Sequence, residues 1–398
     1  MSHEIKNVVV VGAGTMGHGI AETFALAGYP VRIRDIDQRF LHNAREKIQW
    51  SLARLHEKGK LGEDVQSVMR RITFELDLAR PMAGADFVIE AVPENLDLKK
   101  RIFADLEKFS ERWTVLATNT SSLPISEIAT RTSDPSRVVG IHFFNPPVIM
   151  KLVEVIQGKQ TSSDSVRRTF EVLQTLGKKP ILVRKDVPGF VVNRILARMM
   201  VTARILVQKR MASVEEIDAV LKYEAGLPMG AFELLDYIGL DTHESVERAL
   251  AERGFAIPSG DLISSKVTAG NLGVKTGSGF YTYSKERPKA VIPRELARKI
   301  PASLILSPAV NEAALLISSS VASRDDIDLA TVLGLNFPKG ILALADEWGV
   351  DVVLSNLELL REKTQERWLE PEPTLRDMVA QGMLGVKSKK GFYPYDKS

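Results

Sequence analysis

The chain contains no cysteine. That excludes disulfide frameworks, thiolate metal sites, iron–sulfur clusters and cysteine nucleophiles. It also lacks any apolar run near the roughly 18 residues that a membrane span requires. Val8–Val11 has only the length of a strand and stops at a cluster of glycines. The opening Met-Ser-His-Glu-Ile-Lys-Asn carries an acid and no apolar core, unlike a secretory leader. A soluble cytoplasmic protein without a membrane partner is therefore expected. An excess of charge of one sign is missing too: 53 Lys and Arg stand against 50 Asp and Glu, a net +3. A chain so balanced is not built to coat nucleic acid. A local basic patch for a phosphorylated small molecule remains open. The 398 residues suggest two or three domains.

What the chain does have, in its first half, is β-branched runs alternating with helical patterns, as in a parallel sheet with crossover helices. Strands are expected at Asn7–Val11, Val31–Asp35, Ile72–Phe74, Phe87–Ala91, Thr114–Ala117 and Val138–His142. The clearest helix runs from Gln38 to Lys58, with Phe40, Leu41, Ala44, Ile48, Leu52 and Leu55 at three- and four-residue spacings. Asp186-Val-Pro-Gly-Phe190 reads as a break.

The second half is helical and repeats itself. Ala212-Ser213-Val-Glu-Glu216-Ile217-Asp218 matches Ala322-Ser323-Arg-Asp-Asp326-Ile327-Asp328 at an offset of 110, as do Pro228, Gly230, Asp236, Gly239 and Asp241 with their counterparts. Leu272-Gly-Val-Lys275 through Tyr281 matches Leu384-Gly-Val-Lys387 through Tyr393 at an offset of 112. The expected architecture is an α/β Rossmann-type nucleotide-binding domain over residues 1–187, followed by two tandem all-α domains, 188–290 and 291–398.

Gly12-Ala-Gly14-Thr15-Met16-Gly17 follows the first strand and opens a helix running toward Gly28. In that context Gly12 permits a tight turn, Gly14 lets backbone approach a pyrophosphate, and Gly17 lets helix pack on strand. The helix N-terminus offers free N–H groups to phosphates. Asp35 ends the second strand, where a carboxylate accepts from ribose hydroxyls and repels a 2′-phosphate, so NAD is favoured over NADP. Arg32 and Arg34 weaken that preference.

A general base near neutral pH is usually histidine, and there are six. His3 is in the tail, His18 in the first helix, His42 and His56 in the long helix, and His243 in the helical half. His142 differs, because it ends a strand at the sheet edge where such folds bind ligands. Glu154 lies twelve residues on in the strand-like Leu152–Ile156, and Pro146-Pro147 between them can turn the chain back to bring carboxylate to imidazole.

These segments carry a family resemblance. Asn119-Thr-Ser-Ser-Leu123, His142-Phe-Phe-Asn-Pro146, Met150-Lys-Leu-Val-Glu154, Asp186-Val-Pro-Gly-Phe-Val-Val-Asn193-Arg and Tyr223-Glu-Ala-Gly-Leu-Pro-Met-Gly230 resemble the L-3-hydroxyacyl-CoA dehydrogenases of β-oxidation. The resemblance covers the whole chain. It implies NAD as oxidant and a 3-hydroxyacyl thioester as substrate; the cofactor carries the hydride chemistry, so no metal is needed. The resemblance makes His142 the base and Glu154 its orienting partner, with Ser121 and Asn193 bonding substrate oxygens. Glu94, Lys99, Ser121, Asn145 and Lys275 would line the NAD site, and Ser51, Lys58 and Ser121 would meet the CoA substrate. Some relatives fuse this unit to an enoyl-CoA hydratase; none is expected within this chain, and a hydratase partner or fusion stays open. Relatives with one helical domain pair through it, so two copies imply an internal pseudo-dimer in a monomer, or a homodimer formed by another surface.

Plainer readings exist for several of these residues. Ser121 can cap a helix beginning near Leu123, Asn193 can satisfy backbone at a helix start, and Glu94 and Lys99 can be a solvated charge pair. Lys58 sits among exposed charges, and Lys387 recurs without a nucleotide domain, so Lys275 has a structural reading as well. The rival functions are a dehydrogenase of free β-hydroxy acids and a non-catalytic NAD-binding protein.

Overall fold

A computed structural model describes residues 4–258, 260–286 and 288–395. His3 lies outside the described residues. The chain divides into two compact units, Met1–Phe190 and Val191–Ser398.

The first unit is built on an eight-stranded sheet: β1 Val8–Val11, β2 Val31–Arg34, β3 Ile72–Glu75, β4 Phe87–Glu90, β5 Val115–Thr118, β6 Val138–Phe143, β7 Leu152–Ile156 and β8 Lys179–Val183. The strand order is β3-β2-β1-β4-β5-β6-β7-β8. Helices α1 Gly17–Leu26, α2 Gln38–Glu57, α3 Val65–Met69, α4 Ala79–Met82, α5 Leu96–Phe109, α6 Ile125–Ala129 and α7 Ser163–Thr175 connect them. Strands β1, β4, β5 and β6 are buried along their whole length, as helices on both faces require of central parallel strands. The order reverses between β1 and β4, which opens a crevice beyond the C-terminal ends of those two strands.

The six expected strands are present within one residue at each end, and two more complete the sheet. Leu152–Ile156 runs antiparallel to β6, and Lys179–Val183 extends the edge in parallel with it. The long helix ends at Glu57, with Lys58 as its C-cap residue. Its buried stripe is Leu41, Ala44, Ile48 and Leu52. Phe40, which shares the helical spacing, is instead 48% exposed. It sits in the first turn of α2, close to the crevice, and lines a cavity there.

The second unit is all helical among the described residues: α8 Val192–Gln208, α9 Val214–Ala219, α10 Ala231–Ile238, α11 Leu240–Glu252, α12 Asp261–Thr268, α13 Ala302–Ser318, α14 Arg324–Leu335, α15 Ile341–Trp348, α16 Val350–Thr364 and α17 Pro373–Ala380, with short 3-10 and π turns between. Positions 110 to 112 residues apart make the same contacts. Asp218 accepts from the backbone N–H groups of Phe232 and Glu233 and from the Tyr281 hydroxyl. Asp328 accepts from those of Leu342 and Ala343 and from the Tyr393 hydroxyl. Asp236 and Asp346 each tie the Gly-Phe-Tyr segment of their own region through two backbone N–H groups and a tyrosine hydroxyl. Helices α8 and α13 pack along each other. Arg194 and Arg198 on the former meet Glu312 on the latter.

Candidate active site

The glycine loop forms as its spacing requires. Gly12 has φ +106°, and a Cβ there would lie 2.6 Å from the Ala91 carbonyl oxygen. A Cβ on Gly17 would fall 1.8 Å from the Gly12 oxygen, so only glycine lets α1 start this close to β1. Around Gly14 nothing lies within 4 Å of that position, which leaves room for a ligand against the backbone. Helix α1 starts after Met16, the N-cap residue, without a side-chain cap, and of its first-turn N–H groups that of His18 donates to the Gly14 carbonyl at 3.3 Å, so the helix meets an anion with the remaining ones. Thr15 is exposed beside them.

Asp35 follows β2 and braces this loop. Its carboxylate accepts from the Ala13 N–H at 2.7 Å and from the Ile36 N–H at 2.7 Å. Beside it a cavity of about 270 Å³ is lined by Gly12, Gly14, Asp35, Ile36, Phe40 and Ile102, among others. Ile36 is 76% exposed, an apolar wall of the kind a flat purine covers. Of the two arginines on β2, Arg34 donates from Nε to the Leu76 carbonyl and Arg32 to that of Ala83. The glycine turn, the uncapped helix, the braced carboxylate and the apolar slot together fit a dinucleotide.

A second cluster stands at the ends of β4 and β5. Lys99 is fully buried, and its ammonium lies 2.7 Å from Glu90 and 3.5 Å from Glu94. Glu90 also accepts from the Thr118 hydroxyl and the Val92 N–H. Burial pushes the Glu90 carboxyl above the usual carboxylate range against the pull of Lys99. Glu94 accepts from the Thr120 hydroxyl at 2.5 Å and from the N–H groups of Ser121 and Ser122 at 2.9 and 3.2 Å. Burial works against its charge, but the Lys99 ammonium and those donors outweigh it and hold the carboxyl low. The Glu94–Lys99 pair is thus real, and at Lys99 it is buried rather than solvated. Ser121 does not cap a helix: α6 begins at Ile125 with Pro124 before it. Both the N–H and the hydroxyl of Ser121 donate to Glu94 instead, at 2.9 and 3.3 Å.

His142 and Glu154 meet as the sequence spacing anticipates. Glu154 has no exposed surface and lies 2.6 Å from His142 Nδ1. The imidazole packs 4.4 Å from the Phe144 ring and 6.0 Å from that of Phe190. An Nδ1–H donated to the carboxylate leaves Nε2 as the basic nitrogen. Asn145 follows on the exposed loop to β7. His18 Nδ1 donates to the Gly14 carbonyl oxygen, 2.7 Å away, and His42 and His56 are exposed on α2.

Of the CoA candidates, Ser121 belongs to the Glu94 cluster and the other two lie on α2. Ser51 is half-buried on α2 and hydrogen-bonds the buried Glu22 of α1, while Lys58 is exposed at the helix end. In the helical unit Asn193 is the second residue of α8. Lys275 pairs with Asp241 as Lys387 pairs with Asp351, a contact both regions share. Sequence reasoning missed Glu90, the apolar slot and the buried Lys178 described below. A lone acid closing the apolar Phe87-Val-Ile-Glu90 was the available signal for the first of these.

A family model described as 3-hydroxyacyl-CoA dehydrogenase, NAD binding domain, matches residues 7–187. The model for the C-terminal domain of 3-hydroxyacyl-CoA dehydrogenase matches residues 189–283 and 302–395. The chain belongs to the 3-hydroxyacyl-CoA dehydrogenase family. It is an NAD-dependent dehydrogenase, and NAD is its cofactor. It is 42% identical over 278 residues to a probable 3-hydroxybutyryl-CoA dehydrogenase of Deinococcus radiodurans, covering 69% of this chain and 99% of that protein. The mitochondrial hydroxyacyl-coenzyme A dehydrogenase of Homo sapiens is 40% identical over 290 residues, 70% of this chain and 91% of that one. A crystal structure of 3-hydroxybutyryl-CoA dehydrogenase from Escherichia coli K12 superposes with a TM-score of 0.86 at 29% identity, over 95% of this chain and 99% of that chain. No helix among the described residues is long and apolar enough to cross a membrane.

Proposed function

We propose that this dehydrogenase oxidises (S)-3-hydroxyacyl-CoA to 3-oxoacyl-CoA, reversibly, with His142 as general base. The observation that carries the reading is the buried His142–Glu154 pair, 2.6 Å apart. Bound NAD supplies the hydride acceptor, at nicotinamide C4. His142 Nε2 takes the proton of the 3-hydroxyl as the hydride leaves C3. Glu154 holds the imidazole in the tautomer that can do so and stabilises the imidazolium. Ser121, whose N–H and hydroxyl both meet Glu94, supplies a neutral hydroxyl that turns to an oxygen whose charge changes. Gly12, Gly14, Thr15, Met16 and Gly17 receive the pyrophosphate, Asp35 the adenosine ribose, and Ile36 and Phe40 the adenine. Asn145 and Lys275 on the cofactor side, and Asn193, Ser51 and Lys58 on the substrate side, are assigned on the resemblance alone.

The test is turnover of acetoacetyl-CoA with NADH against the corresponding free acid, for wild type and His142→Gln. The thioester should be the substrate, and the variant should lose about 100-fold or more in kcat, the scale of a general base. A variant keeping a tenth of wild-type kcat would overturn the assignment.

We also read 188–290 and 291–398 as tandem copies of one helical domain, the second structural and the pair replacing a dimer interface within one chain. The matched Asp218/Asp328 and Asp236/Asp346 contacts support this reading. Dimerisation is then not needed for activity, and a hydratase partner is not required for the dehydrogenase step. Deleting 294–398 should expose apolar surface and give an insoluble or dimeric protein. A soluble, fully active monomer would refute it.

A further inference from the structure

Lys178 follows the left-handed turn at Gly177 and leads into β8. It is only 6% exposed. Its ammonium donates to the carbonyl oxygen of Pro147 at 2.5 Å and to that of Met150 at 2.9 Å. Burial alone accounts for its titration, which falls from the ordinary lysine range to about 8; no carboxylate among the described residues offsets it. Burying an ammonium without a counter-ion is unfavourable, and an apolar side chain would fill the same space at lower cost. What the ammonium supplies, and an apolar group does not, is charge-assisted donation to two carbonyls at once.

Both acceptors belong to one loop, residues 144–151, which joins β6 to β7. At its start stand His142, on the strand, and Asn145. The loop is held from a second side as well. Pro147 lies on α1 so closely that a Cβ on Gly19 would come within 3.0 Å of its ring. Helix α1 is the one whose uncapped N-terminus faces the glycine turn. The loop is therefore fixed between the nucleotide-binding helix and a buried cation.

We propose that Lys178 is a positioning residue of the cofactor site, its grip on the Pro147 and Met150 carbonyls setting the loop that carries Asn145. The inference rests on the reading in which His142 and Asn145 serve the reaction and the cofactor. Lys178 touches neither, and acts through the loop backbone. Without its donors, the two carbonyls lose their partners, and the loop settles wherever water can reach them. The predicted loss is selective for NAD, because the loop packs on α1 and not on the α2 surface where Ser51 and Lys58 stand.

The experiment uses the full chain with Lys178→Met, which keeps the length but removes the donors, and Lys178→Arg, which restores them. NADH affinity is titrated by fluorescence, and KM for NADH and for acetoacetyl-CoA is measured separately. Lys178→Met should weaken NADH binding and lower kcat, each at least about tenfold, with KM for acetoacetyl-CoA within about twofold of wild type. Lys178→Arg should return NADH affinity to within about threefold. A Met variant binding NADH within twofold of wild type overturns the proposal, as does an equal rise in both KM values with a lowered Tm, the mark of general destabilisation. If the Met variant does not fold, Lys178→Gln, which keeps one donor group, is measured in the same way against the same limits. His142→Gln is run in parallel: wild-type turnover there overturns the functional reading itself, whereas its loss together with an unaffected Lys178→Met overturns the positioning role alone.

Discussion

His142 on β6 and Glu154 on β7 are directly opposed across an antiparallel strand pair. Opposed residues point to the same face of the sheet with their Cβ atoms about 5 Å apart, so an imidazole and a carboxylate there meet without searching. The pair is part of the ladder, and its geometry is as rigid as the backbone beneath it.

That rigidity sets the expectation for Glu154→Gln. The amide fits the same space but neither stabilises imidazolium nor fixes the tautomer, so kcat should fall by about 100-fold with the fold intact. Measured between pH 6 and 9, an unchanged kcat would show that the two side chains are not coupled.

Asp35 braces the glycine turn and, on the proposed function, faces the adenosine ribose. Asp35→Ala should raise KM for NAD by about tenfold or more and shift the NAD/NADP preference toward NADP. Because Arg34 and Arg32 already donate to backbone carbonyls, the wild type should keep its preference for NAD. A preference ratio that does not move in the variant places the ribose elsewhere.

Glu22, 1% exposed on α1, has its carboxyl raised from 4.5 to about 7 by burial, against a hydrogen bond from Ser51. A folded value above the unfolded one means that folding takes up a proton. Stability is therefore complete below the unfolded value and declines as pH rises from about 4.5 through about 7. Glu22→Gln should match wild type near pH 4.5 and exceed it at pH 8, by at most about 3 kcal/mol. Urea midpoints at the two pH values check this, and an equal difference at both would rule it out.

Glu312 is 3% exposed and is gripped by Arg194 and Arg198 of α8. The positions that correspond by the 110-residue offset are Thr202, Leu304 and Pro308, so two identical copies could not make this contact. Glu312→Gln removes the carboxylate that meets the buried Arg198 guanidinium and should cost about 3–5 kcal/mol. A denaturation midpoint equivalent to a loss under about 1 kcal/mol would show that the ion pair does not hold α8 to α13.

The sequence by itself determined the sheet strands whose residues are buried on both faces, because continuous runs such as Val8–Val11 have no other stable place. It determined the glycine turn and Asp35, whose roles depend on spacing along one short segment. It also determined the repeat, which is visible as identity at a fixed offset. The edge strands were less legible: Lys179–Val183 mixes exposed and buried positions, and its partner lies across a helix in sequence. Phe40 shows the same limit, since helical spacing marks a face without saying whether core or cavity lies against it. What only the tertiary structure decided was the company of the buried charges. Lys99 reads as one of many surface lysines until β4 and α5 enclose it between Glu90 and Glu94. Lys178 reads the same way until a loop some thirty residues earlier lays two carbonyls on its ammonium. Local pattern carries secondary structure because backbone geometry has a short period, whereas the cost of burying a charge, and the partner that offsets it, depend on whatever the fold brings alongside.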